Sequence, residues 1–116
     1  MRIYLPLIAC LGFALPAWAD FPVIEEATLN GNSLSVTLSH PDTGWDHYAD
    51  GWEVFTPDGT SLGLRVLAHP HVNEQPFTRS LGNINVPDGV TQLHIRARCN
   101  RDGWSDQMFV LPLPAR

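Results

Sequence analysis

The chain contains no lysine. All seven basic residues are arginine, set against twelve aspartates and glutamates, for a formal net charge of −5 over 116 residues. A Schiff-base lysine and a P-loop lysine are therefore excluded. So is the clustered positive charge that nucleic acid or an anionic membrane surface requires of a partner. Cysteine is nearly as scarce, with only Cys10 and Cys99 present. Long apolar runs are lacking too: the stretch from Ile3 to Leu15 is too short to span a bilayer, and no second one follows. No window of eleven or more residues carries a helical stripe. There is no Gly-x-Ser-x-Gly elbow, no papain-like cysteine signature and no carboxylate pair placed as a glycosidase dyad, so the sequence does not support hydrolase chemistry.

What is present begins with a leader. Arg2, the short apolar run and Ala17-Trp18-Ala19 predict a signal peptide over residues 1–19, cleaved after Ala19. The mature chain then starts at Asp20, forms one domain over residues 20–116, and is periplasmic or secreted. Losing Arg2 takes its formal charge to −6 and leaves Cys99 as its single cysteine. An intramolecular disulfide is then impossible, so the thiol must be buried, paired with another chain or bound to something. Leu7-Ile8-Ala9-Cys10 resembles a lipobox, and cleavage before Cys10 would give a lipid anchor instead; the Ala-Trp-Ala site is better placed.

Turn signals recur at short intervals: Asn30-Gly31-Asn32, Pro41 to Gly44, Pro57-Asp58-Gly59, Pro70 to Pro76, Pro87-Asp88-Gly89 and Asn100 to Gly103. Between them apolar residues alternate with polar ones. Leu34, Val36 and Leu38 form one such set, Trp52 and Val54 a second, and Leu93, Ile95, Ala97 and Cys99 a third. Period two means half-buried strands. About seven are predicted, near 22–29, 33–39, 51–56, 62–68, 77–84, 90–98 and 107–113. Seven short antiparallel strands predict an all-β, immunoglobulin-like two-sheet sandwich.

Two loops hold four of the five histidines. His40 and His47 flank Trp45 and lie beside Tyr48, and His69-Pro70-His71 forms an H-x-H element. Imidazole is the commonest ligand for first-row transition metals, and two on one loop can share an ion. On the residues alone, an ordinary polar loop is the simpler account of either pair. Cys99 continues an apolar phase, as a small core residue does. It also stands at a strand end, where a thiolate could reach a loop-held ion.

Read in order, these pieces resemble the iron-binding domain of superoxide reductase and desulfoferrodoxin. The resemblance is carried by Phe21-Pro22-Val23-Ile24-Glu25, His40-Pro41, His47-Tyr48, Trp52-Glu53-Val54 and Cys99-Asn100-Arg101-Asp102-Gly103-Trp104. It implies an immunoglobulin-type sandwich in which four histidines in a plane and an axial cysteine hold iron, with the sixth position open to superoxide. His40, His47 and Cys99 match ligands of that family. Asp20 and Asp102 stand where the family has its other two histidines. Carboxylate in place of imidazole makes the site harder and more anionic, which favours the ferric state. The missing lysine removes positive charge that would draw in superoxide.

The resemblance thus implies an altered iron site of His40, His47, Cys99, Asp102 and Asp20, with His69 and His71 as replacement ligands, and leans away from an enzyme. The His-Pro loop, His69 to Phe77 and Val86-Pro87 are also similar to the Z subunit of the periplasmic thiosulfate-oxidation carrier complex. That likeness implies a non-catalytic protein-interaction module with Trp45, Tyr48 and Trp104 as its aromatic surface.

Overall fold

The computed structural model describes residues 19–114. Apart from Ala19, the expected leader lies outside them, as does the lipobox at Cys10. Among the described residues there is no helix and there are eight strands. They are β1 (Val23–Asn30), β2 (Ser33–Ser39), β3 (Ala49–Phe55), β4 (Ser61–Val66), β5 (Phe77–Leu81), β6 (Gln92–Cys99), β7 (Gly103–Trp104) and β8 (Phe109–Pro112). One sheet has the order β1-β2-β5. The other runs β4-β3-β6-β7, with β8 also paired to β6, and every pairing is antiparallel. The protein is the all-β sandwich its alternation predicts.

The two sheets meet through the apolar phases. Leu34, Val36 and Leu38 of β2, Trp52 and Val54 of β3, and Leu93 and Ile95 of β6 are wholly buried, and Ala97 nearly so. Side chains of a strand alternate between faces, so the intervening residues of β2 point outward. There they form cross-strand rungs: the hydroxyls of Ser35 and Ser80, and of Thr37 and Thr78, each meet at 2.7 Å in register with β5. A buried tryptophan on the third strand is an immunoglobulin-like trait, which Trp52 supplies.

Three details depart from the expected strands. The stretch predicted over 77–84 stops at Leu81, because Asn83 has φ 59° and Ile84 donates its N–H to Asn32 (2.9 Å) outside the ladder. The third strand starts at Ala49, two residues early. A two-residue strand, β7, pairs back onto the end of β6, with Gly103 opposite Cys99 at φ 78°, a left-handed conformation that suits glycine.

The topology also decides where the loops lie. Val23 pairs with Ser39 and Ala49 with Cys99, so the start of β1 adjoins the end of β2 and the start of β3 adjoins the end of β6. The 40–48 loop, the 67–76 loop, the 100–102 turn and the residues preceding β1 gather at one end of the sandwich.

Candidate metal centre

His40 and Cys99 are brought together by strand periodicity. His40 is the next inward position after Leu34, Val36 and Leu38; Cys99 is the last after Leu93, Ile95 and Ala97. They end the core faces of strands in opposite sheets, so both side chains finish in the same layer between the sheets. His40 is 2% exposed and Cys99 fully buried. His47 enters from the loop between them. Thr43 N–H donates to the His47 carbonyl (3.0 Å) and His47 N–H to the Gly44 carbonyl (3.2 Å), closing a small turn with Trp45 and Asp46 at its tip. Gly44 sits there at φ 143°, a value that favours glycine. The turn tucks the His47 ring under His40, edge to face, with centroids 4.6 Å apart.

One ligand atom each from His40, His47 and Cys99 lies within 4.8 Å of the other two. Two ligands on opposite sides of one ion stand about 4.0–4.6 Å apart, twice the usual bond length. The three ligand atoms are therefore close enough together to share one ion after a small contraction. His47 Nε2 is buried and makes no hydrogen bond. Its nearest acidic oxygen, Oδ2 of Asp102, is 3.5 Å away. A buried polar atom with no partner carries a free-energy cost, which a bound ion would remove.

Asp42 positions His40, and nothing in the sequence marked it. Its carboxylate is buried and meets His40 Nδ1 at 2.6 Å. It also accepts the N–H groups of Ala49 (2.9 Å) and His71 (2.8 Å). A carboxylate on the far nitrogen of a histidine fixes ring orientation and raises its basicity toward a metal. The other nitrogen, Nε2, lies 2.7 Å from the Asp20 carbonyl. Asn100 is a second positioning residue. It accepts Tyr48 N–H (2.9 Å) and donates to the Trp45 carbonyl (2.9 Å), tying the 40–48 loop to the turn that carries Asp102.

Asp102 sits beside the sulfur. Its N–H donates to Cys99 Sγ at 3.2 Å, and its Oδ2 lies 3.6 Å from the same sulfur. The Asp20 N–H, 3.1 Å from Oδ2, does most to hold the Asp102 carboxyl below its ordinary value. Burial opposes this, while the Cys99 thiol, His47 and Arg101 add to it. Asp20 itself meets the cluster through its main chain, by N–H to Asp102 and by carbonyl to His40; the expectation had been a side-chain ligand.

His69 and His71 do not join. Their rings pair with each other at 4.5 Å, and His71 stacks on Phe77 at 3.9 Å. Arg79 lies 2.9 Å from His71 Nε2, while His71 Nδ1 is buried without a hydrogen-bond partner; neither histidine of this pair belongs to the converging set of His40, His47 and Cys99. Burial is the main cause holding His71 below its ordinary pKa, followed by the charge of Arg79 and then His69; Glu74 and Asp42 act the other way. The expected aromatic surface also divides. Trp45 is 67% exposed and packs edge-on against Tyr48. Trp104 instead lies under the guanidinium groups of Arg96 (4.9 Å) and Arg98 (5.3 Å) on the outer face of the sheet.

The sequence matches no protein-family profile. It is similar to a protein of Halomicrobium mukohataei named "Putative lipoprotein", 46% identical over 78 residues. That alignment takes in 67% of this chain and 38% of the relative, so the chain spans well under half of that protein's length.

Proposed function

We propose that this is an exported protein that binds one first-row transition-metal ion, with iron as the favoured ion, through His40, His47 and Cys99, and with Asp102 as an oxygen donor. The observation that carries this reading is the convergence of one ligand atom each from the buried His40, His47 and Cys99 within 4.8 Å, beside which the Nε2 of His47 is buried and unpartnered. Imidazole with thiolate suits iron, zinc or copper, and a carboxylate shifts the preference toward a harder ion. The likeness to the superoxide reductase iron domain adds weight to iron. Export is supported by the leader and by the name of the archaeal relative.

Iron held here would supply one-electron exchange. The residues of the chain do the rest: Asp42 aims His40, the Asp102 N–H stabilises negative charge on Cys99 Sγ, and Asn100 fixes the loop that brings in His47. Superoxide reduction is not part of the proposal. Two imidazoles converge with the sulfur instead of four, and of the two histidines that would replace the missing pair, His71 is stacked on Phe77 and bonded to Arg79, with His69 packed against it.

Anaerobic titration with Fe²⁺, followed by air oxidation, tests the reading. One equivalent should bind and give a thiolate-to-iron charge-transfer band that Cys99→Ser abolishes and His47→Ala weakens. Absence of both the band and any uptake of Fe²⁺ or Zn²⁺ would contradict it. The exposed Trp45, packed edge-on against the half-buried Tyr48 in the loop that carries His47, favours a second reading, a protein-docking module. A stoichiometric partner that co-purifies in the presence of chelator would favour that one.

A further inference from the structure

Both main-chain polar atoms of Asp20 point into the cluster. The nitrogen lies 3.1 Å from Asp102 Oδ2, and that oxygen is 3.5 Å from His47 Nε2 and 3.6 Å from Cys99 Sγ. The carbonyl oxygen lies 2.7 Å from His40 Nε2. While the peptide bond to Ala19 is intact, this nitrogen cannot bind a metal. Its lone pair is delocalised into the Ala19 carbonyl, and it acts only as a hydrogen-bond donor. The bond in question is also the one that the Ala17-Trp18-Ala19 pattern marks for cleavage.

We infer that removal of the leader completes the metal site. The new α-amine of Asp20 becomes a nitrogen ligand, and the Asp20 carbonyl oxygen closes a five-membered chelate ring on the same ion. In the cleavage step a leader-removing peptidase adds water across the Ala19–Asp20 bond. Ala19 departs with the new carboxylate, whose proton passes to the nitrogen that Asp20 keeps; the α-amine is therefore largely protonated near neutral pH, and a metal ion binding its lone pair displaces that proton to solvent. No electrons are exchanged. Before cleavage the site offers two imidazoles, a thiolate and the Asp102 carboxylate; afterwards it gains a chelating pair. Metal loading is thereby tied to export, because the precursor lacks the amine. Position is restrictive, since one extra residue would carry the amine about 3.8 Å further along the chain. The inference rests on the metal-site reading above.

The absence of lysine makes a selective test available. With no other amine in the processed chain, the one hydroxylamine-stable acetyl group an amine-acetylating reagent can leave is the amide at the α-amine, adducts on Cys99, histidine or tyrosine being removed by hydroxylamine before the mass is read. The full chain with its leader is expressed in a Gram-negative host and recovered after export, and its N-terminus is read by intact mass. The protein is then acetylated with and without Zn²⁺, and both products are titrated with Fe²⁺ and Zn²⁺ against a competing chelator. The inference predicts an N-terminus at Asp20, one acetyl group added to the metal-free protein, and protection by Zn²⁺. It also predicts an affinity at least about tenfold lower once the amine is acetylated, the usual cost of losing one element of a metal site. Equal acetylation with and without Zn²⁺, unchanged affinity after acetylation, or an N-terminus at a lipidated Cys10 would overturn the inference and leave the His40–His47–Cys99 site standing. No binding of either ion by the unmodified protein would overturn both.

Discussion

At the scale of single residues, Asp42 holds the site together. Its carboxylate serves His40, the N–H of Ala49 and the N–H of His71, all from a buried position. Asp42→Ala would leave these donors without partners, so a loss of about 3–5 kcal/mol in urea denaturation is expected. Asp42→Asn should cost less, because the amide oxygen can still accept one of these bonds. His71 gives a prediction in pH. Its imidazole is held below its ordinary value in the fold, so on acidification the unfolded chain takes up a proton that the folded chain does not. Its contribution to stability therefore falls as pH drops through about 6.5, and levels off below the lowered folded value. Comparing denaturation midpoints of the wild type and His71→Gln from pH 8 to 5 isolates this slope, and the variant should show the shallower one. Cys99 was legible because it extends a period-two apolar phase, and His40 because it shares one loop with His47. Asp42 was not legible. Within Pro41-Asp42-Thr43-Gly44 it reads as a turn former, and two of its three partners stand 7 and 29 positions away.

At the scale of elements, β2 shows how strictly the two faces are separated. Val36 is wholly buried, whereas its neighbour Thr37 makes an outward rung with Thr78. Val36→Thr places a hydroxyl in the core without a partner and should cost about 1–3 kcal/mol. The inverse change one position on, Thr37→Val, loses a cross-strand hydroxyl pair and should stay within about 1 kcal/mol. Thermal or urea unfolding of the pair checks the asymmetry. The same separation explains why the sandwich could be read from alternation and turn residues, since each inward phase appears directly in the sequence. β7 could not be read that way, because two residues are too few to show a period. Its existence depends on the turn at Gly103 folding Trp104 back under Arg96 and Arg98. The Asp20 main-chain contacts were equally hidden, since they bring together residues 82 positions apart.

At the scale of the whole molecule, the sandwich brings His40 from the end of β2, His47 from the β2–β3 loop and Cys99 from the end of β6 to one point, so an ion bound there would clamp both sheets. Metal at a hundredfold excess over its dissociation constant should add about 2.7 kcal/mol to stability. For a domain of this size that is a rise of roughly 10–20 °C in unfolding temperature, measurable by calorimetry and absent in Cys99→Ser. The most direct measurement is the metal content of the exported protein, purified without chelator from metal-replete cells. One first-row transition-metal ion per chain is expected, retained through gel filtration and lost in the His47→Ala, Cys99→Ser double variant. A wild-type protein that emerges folded, metal-free and no more stable with added Fe²⁺ or Zn²⁺ would contradict it.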